Sequence, residues 1–523
     1  MAGWIGRKIL LLGLLFPSAA PIISRRAGAE NRPWRWQRSR QAAKSDDSAA
    51  GSQCEQSSDK HAAWAASWRP PAGSPLPLLE ELAPALTATG VPRHMRSTEA
   101  ARLAAEGRFT PDGLAKASQG LVWATQAADA GHRLFTTVKA GSRLHPRFPD
   151  RRGFGSALSG QRVVQTSPAD FFARPQTDGH HRYHSARLDS LAPSLAGAIN
   201  ESSFALSEEV GAVPELQYSV LVRASTAGSW YQCHFDAKHN VFVQLHGRKR
   251  FYLWPTAALP SLRLHSSLHS LYRKSMIDMG ASEADSAARF GAETGEIARL
   301  SDAVVIELSA GDVLYLPPMV PHHVECLGDG EGWCVGANVF SGGEISRELA
   351  VIQERLHTAP LGWVDPAWPQ SQEVVLPLVQ VVLWDLADAE GLDLGELVSA
   401  LLRHAWEPLR AEGATLGTRA SAAARFGRGL CAEPGTEQLH PQLLRAFGSE
   451  PALLRQIASN QHLRDLQRGL DAVRASFDAA GRAADGEVAV SVLTGEVVEA
   501  VVAAAVGLEH AWEFLAQCLA GNT

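Results

Sequence analysis

Over residues 234–255 the chain reads HFDAKHNVFVQLHGRKRFYLWP, and over 311–325 it reads GDVLYLPPMVPHHVE. The runs Asn240–Leu245 and Lys249–Trp254 are short and rich in Val, Phe and Tyr. His246-Gly247-Arg248 separates them, which predicts two strands joined by a hairpin turn. Gln217–Arg223, Ala303–Leu308, Val313–Leu316 and Cys334–Phe340 have the same texture. Several short strands punctuated by turn residues predict an antiparallel barrel or sandwich.

The same stretches carry the chemistry. His234 and Asp236 form an H-x-D pair, and residues two apart on a strand project to one face. With 19 histidines in the chain, about one such pair arises at ordinary Asp frequency, so the pair needs company. It has it in His322, which follows a Gly-Asp turn, the apolar strand Val313–Leu316 and a Pro-rich turn. Two histidines and a carboxylate on one face of a metal leave positions open for a bidentate cosubstrate and O2, the arrangement of non-haem Fe(II) sites. His323 competes for the distal role, and strand periodicity alone does not choose. Lys249, 15 residues after His234, supplies the cation that a buried anionic cosubstrate requires. Asn240 and Asn338 lie on strands near the same site and offer hydrogen bonds to a carboxylate or to the metal's surroundings.

These blocks resemble the Jumonji-C, or cupin-like, 2-oxoglutarate oxygenases, closest in flavour to the asparaginyl hydroxylase that represses hypoxia-inducible factor and to small JmjC-only hydroxylases. The resemblance covers roughly residues 160–345. It implies a mainly β core, a double-stranded β-helix or jelly-roll cupin barrel, with N-terminal helices and an α-helical C-terminal region. It implies that His234, Asp236 and His322 are the iron ligands, with motif register favouring His322 over His323. Lys249 matches the anchor for the far carboxylate of 2-oxoglutarate. Tyr231 occupies a position where a Thr often assists, Asn240 and Asn338 match polar residues near the cosubstrate, and Tyr183 matches a tyrosine that joins the lysine. The sequence departs from the family at Val320-Pro321, where an aromatic usually precedes the distal His. The implied activity is hydroxylation of a protein side chain with Fe(II), 2-oxoglutarate and O2, giving succinate and CO2. Lysine demethylation shares the machinery. A cupin-fold scaffold without turnover is the alternative of another class.

Around this core the chain divides by texture. Residues 1–29 read as a targeting segment: Arg7 and Lys8, the apolar run Ile9–Phe16, then Ala27-Gly28-Ala29 as a small-residue cleavage site. That predicts the secretory pathway, with organelle import as the alternative. The apolar run is too short for a stable membrane anchor. Residues 30–74 read as a flexible linker and 75–159 as helical, including a helix over Leu114–Ala130. Residues 160–345 form the barrel, with 257–302 as a polar insertion on its rim. From 346 to 523 amphipathic helices follow, interrupted by a loop over 412–436; they are an expected homodimer surface. The Gly-rich run Gly153, Gly155, Gly160 lacks the spacing of a nucleotide loop.

Composition narrows the partners. The chain carries −6 and its first 45 residues +8, from nine Lys or Arg against Glu30, so the remaining 478 residues carry −14. An acidic body speaks against nucleic-acid binding; the protein substrate is what the resemblance implies. Six cysteines with no C-x-x-C pair exclude a zinc ribbon. Cys326 and Cys334 flank one loop and are either bridged or buried free thiols.

Overall fold

The computed structural model describes residues 64–520, apart from 128–132, 137–160, 174–179, 207–219, 286–297, 353–360, 365–371, 404–415, 432–447 and gaps of at most three residues. The targeting segment, most of the linker and the glycines at 153, 155 and 160 lie outside the described residues.

Among the described residues thirteen strands build two sheets: β1 (Arg93–Arg96), β2 (Val122–Ala127), β3 (Leu134–Phe135), β4 (Gln161–Thr166), β5 (Arg182–Arg187), β6 (Val220–Thr226), β7 (Trp230–His234), β8 (His239–His246), β9 (Arg248–Leu253), β10 (Val304–Leu308), β11 (Asp312–Leu316), β12 (His322–Gly328) and β13 (Trp333–Ser341). The larger sheet runs β1-β11-β8-β13-β6-β5-β2-β4 and the smaller β10-β9-β12-β7-β3. All pairings are antiparallel except β3 on β7. Phe242 and Leu314 of one sheet meet Phe251, Leu253 and Ile306 of the other in a shared core. This is the β-rich core with helical extensions that the strand texture predicts.

β8 explains why its sequence reads as an unbroken apolar run. Phe242 faces the smaller sheet, while Val241, Val243 and Leu245 face the opposite way, into a second core closed by the N-terminal helices Leu79–Thr89, Thr98–Ala105 and Pro111–Ala117. A strand buried on both faces shows no alternation.

Three local expectations are corrected. The His246-Gly247-Arg248 turn does not make a hairpin: β8 pairs with β11 and β13, whereas β9 pairs with β10 and β12. Gly247, at φ +68°, is the corner where the chain crosses between sheets, and a Cβ there would lie 2.1 Å from the Trp333 carbonyl oxygen. The helix expected over Leu114–Ala130 ends at Ala117, Gly120 turns the chain at φ +70°, and Val122–Ala127 is strand β2. Residues 75–159 thus hold strands as well as helices. The linker expectation also fails at its end: Trp68 is buried, stacks edge-on with Trp64, and accepts a 2.7 Å hydrogen bond on its carbonyl from Arg93.

The polar insertion expected at 257–302 is largely buried over its described residues. Leu259, Leu262, Leu268, Met276 and Ile277 are buried in one core with Cys233 and Phe235 of the β7 edge and with the C-terminal helices. Those helices include Gln372–Ala389, Leu394–Leu401, Gln461–Ala479 and Ala483–Val506. A helix over Arg419–Phe426 occupies part of the expected 412–436 loop. Gly481 stops Gln461–Ala479: at φ +69° it lets Arg482 donate to the Phe477 carbonyl at 2.8 Å while its own N–H reaches Asp478. Ala483–Val506 has the length and hydropathy of a membrane span, but 78% of its apolar window is buried inside the protein, as a core helix would be. Disulfides join Cys326 to Cys334 and Cys431 to Cys518, and Cys233 is a buried free thiol.

Candidate metal centre

Strand pairing assembles the centre. β7 ends at His234 and β12 begins at His322, and the two are directly opposite in the ladder. Their rings lie 4.3 Å apart, centroid to centroid. Asp236 stands just past the end of β7, and Phe235 between the two ligands turns into the core behind them. One ligand atom from each of His234, Asp236 and His322 lies within 4.8 Å of the others, and His322 Nε2 is 3.8 Å from Asp236 Oδ2.

Both imidazoles are held in one orientation. His234 Nδ1 contacts the Gln232 carbonyl at 2.9 Å, and His322 Nδ1 contacts the Val320 carbonyl at 3.0 Å. A carbonyl only accepts, so each Nδ1 carries the proton and each Nε2 keeps its lone pair for a metal. Val320 thus serves through its backbone where the family usually has an aromatic. The turn is fixed from the other side as well: Met319, at φ +66°, donates its N–H to the Asp236 carbonyl at 2.9 Å.

His323 faces away. One residue along a strand reverses the face, and its ring packs between Trp230 and Tyr252 at 5.6 and 5.8 Å. Burial pushes it down to about 3, so it is neutral there. The geometry therefore groups His322, not His323, with the other two.

A hydrogen-bonded chain leads away from Asp236. Asn240 Nδ2 donates to Asp236 Oδ2 at 3.2 Å, Asn338 Nδ2 donates to Asn240 Oδ1 at 2.9 Å, and Arg223 Nε donates to Asn338 Oδ1 at 3.0 Å. Arg223 also donates to the Tyr183 hydroxyl at 3.2 Å and to Ser185. Tyr183 stacks between Phe135 and Tyr231, and Tyr231 meets His234 edge-on at 5.1 Å. Tyr183 is tied to Arg223 by hydrogen bond, which places it differently from a direct partner of Lys249.

Lys249 is almost fully buried, with Nζ 5.1 Å over the Phe242 ring, and it has no hydrogen-bond or ion-pair partner among the described residues. Burial, then repulsion by Arg223, pushes it down to about 7. Gly336 makes room for Phe242: a Cβ there would lie 2.3 Å from the ring.

Three neighbours escaped the sequence reading. Arg223 interrupts the apolar strand β6, and a charge at the centre of such a strand was a readable signal. Lys274 and Thr136 lie outside any periodic pattern. Lys274 is buried, bridges His234 through the backbone and donates from Nζ to Thr136 Oγ1 at 2.8 Å.

Two histidines and a carboxylate at one end of the smaller sheet thus form a group that could hold a metal ion. Residues 130–341 match the family model described as the cupin-like domain. Among solved structures it is similar to YcfD, a ribosomal oxygenase from Escherichia coli in complex with cobalt and succinic acid. The identity is 14% and the TM-score 0.25, over 50% of this chain and 52% of that one, a likeness too distant to speak for function. The matched region spans about half the length of that relative.

Proposed function

We propose that the chain is an Fe(II)- and 2-oxoglutarate-dependent oxygenase that hydroxylates a protein side chain. The carrying observation is the convergence of His234, Asp236 and His322, with both histidine Nδ1 atoms turned onto backbone carbonyls, near the buried Lys249 ammonium. The donor set fits iron: two neutral imidazoles and one carboxylate suit Fe(II) and leave room for further ligands. With iron and 2-oxoglutarate bound, such a centre supplies O2 activation coupled to conversion of the cosubstrate to succinate and CO2.

The chain's own residues do the rest. Asn240 orients Asp236 and, through Asn338, links it to Arg223. Lys249 neutralises the far carboxylate of 2-oxoglutarate as a point charge in a low-dielectric pocket. Phe242 beneath Lys249 keeps water from competing.

The leader and the two disulfides support residence in an oxidising compartment, where such bonds persist.

The test is succinate release by the purified full chain with Fe(II) and 2-oxoglutarate, anaerobically and in air. Oxygen- and iron-dependent succinate that falls to background in His234→Ala and Lys249→Ala supports the reading. A wild-type chain that binds neither Fe(II) nor 2-oxoglutarate overturns it and leaves a binding scaffold.

A further inference from the structure

Among the described residues, a cleft that none of His234, Asp236 and His322 lines opens between the 259–273 segment and the helices Leu394–Leu401 and Ala483–Val506. Its volume, counted out to the open solvent, is about 670 Å³, within the range of small-molecule sites. Leu259, Leu264, Leu401 and Val492 make its walls apolar.

The floor is one face of helix Ala483–Val506. Ser491, Gly495 and Glu499 follow at intervals of four, with Val492 and Glu496 beside them, so all five share that face. At Gly495 the Leu401 side chain lies against the helix backbone, and a Cβ there would be 2.8 Å from Leu401 Cδ2. Polar groups stand on either side of this contact. Ser491 is 7% exposed and its hydroxyl has no hydrogen-bond partner. A buried hydroxyl left unbonded is costly, so this face is incompletely satisfied by the protein alone.

Glu499 is the more telling group. It is 3% exposed, and its Oε2 takes the Ser266 hydroxyl, the Ser267 amide and the Ser267 hydroxyl at 2.9, 2.6 and 2.5 Å. Oε1 takes none of these three bonds and keeps its capacity to accept. Arg273, the cation of the same cleft, is engaged with the neighbouring carboxylate: its Nε and Nη2 donate to Glu496 Oε1 and Oε2 at 3.2 Å each. Burial pushes Glu499 up to about 7 and Glu496 repels it, while the serine donors pull the other way. A cation held at Oε1 favours the ionised form. A neutral donor bonds the same oxygen, but it does not offset the cost of a carboxylate charge at this depth.

We infer that the cleft binds a small amine, with its ammonium on Glu499 Oε1 and its apolar body along Leu264, Leu401 and Val492. This goes beyond the oxygenase reading and stands without it, because neither the metal centre nor the cosubstrate takes part.

The test is an NMR titration of the purified full chain with phenethylamine, with n-hexylamine and with 3-phenylpropionate, which keeps the ring and reverses the charge. The expected result is that both amines bind at least tenfold tighter than the acid. Glu499→Gln keeps an acceptor for the serines and replaces Oε1 by an amide NH2. It is expected to weaken both amines by about tenfold to a hundredfold, the worth of a hydrogen bond between charged groups. Val492→Trp fills the cleft without touching the carboxylate, and it is expected to abolish amine binding. Should Glu499→Gln fail to fold, Val492→Trp decides alone. Wild type that binds neither amine, or that binds amine and acid alike, overturns the inference. Amine binding that persists in both variants overturns it too, because the amine then sits elsewhere on an acidic surface.

Discussion

Asn240 holds Asp236 from four residues further along the chain, its Nδ2 donating to Asp236 Oδ2 at 3.2 Å. A carboxylate on an irregular segment just past a strand has rotational freedom, and this bond removes part of it. Asn240→Ala is expected to lower metal affinity by about tenfold to a hundredfold, the usual effect of removing a ligand's supporting hydrogen bond. Equilibrium dialysis against Co(II) checks it. An unchanged affinity would mean that Asp236 is oriented without Asn240.

Lys249 gives the site a pH dependence. In the folded chain it lies near 7, below its ordinary value, and the ammonium is the form that binds an anion. Below pH 7 the charge is already present. Above it, 2-oxoglutarate binding must recruit a proton, so the dissociation constant is expected to rise by up to about tenfold per pH unit. Calorimetry in buffers of different ionisation enthalpy reads the proton uptake directly. Equal affinity at pH 6.5 and 8.5 would refute the assignment.

Gly336→Ala tests the seat of Lys249 without touching a ligand. Its methyl group would meet Phe242 at 2.3 Å and must displace the ring. Overpacking of this kind costs about 1–3 kcal/mol. Stability is expected to fall by that amount and 2-oxoglutarate binding to weaken, while Co(II) affinity is retained.

Arg273→Ala leaves Glu496 buried without its partner. The two side chains are 4% and 11% exposed, and breaking a buried pair of this kind costs about 3–5 kcal/mol. Denaturant unfolding measures it. A loss below about 1 kcal/mol, the range of surface pairs, would show the bridge to be solvated.

The disulfides differ in what they restrain. Cys326 and Cys334 are 8 residues apart, and Cys431 and Cys518 are 87 apart. Loop-closure entropy predicts a loss of about 2–3 kcal/mol for opening the first and about 4–5 kcal/mol for the second. Cys334→Ser and Cys518→Ser, compared by thermal unfolding, should rank in that order. Alkylation of the denatured, unreduced protein should modify Cys233 and spare those four.

The centre was legible where strands carry it. His234, Asp236, His322 and Lys249 stand in or beside extended segments, and the alternation of faces converts their spacing into direction. The same alternation separates His322 from His323 once the β7–β12 register is known, and register is not written in either strand alone. Gly247 was legible as a turn but not as a corner, because a glycine at positive φ serves a hairpin and a crossing between sheets equally well. Val122–Ala127 hid among alanines that suit a helix as readily as a strand. Lys274 could not be read at all. Its segment turns through Arg263 and Arg273 at φ +47° and +66°, so it has no period, and it gains its place from Glu496 and Glu499 more than two hundred residues away.

The Glu499 carboxylate receives the Ser266 and Ser267 hydroxyls and the Ser267 amide, all within 2.9 Å. The wall of the pocket that carries Lys274 therefore hangs from a helix that begins well beyond the region the cupin-like family spans. Cutting the gene at residue 345 would isolate a recognisable barrel and leave it with an unsupported doorway. In this chain the boundary of the homologous region and the boundary of the working part fall in different places, and any minimal version must extend at least through Val506.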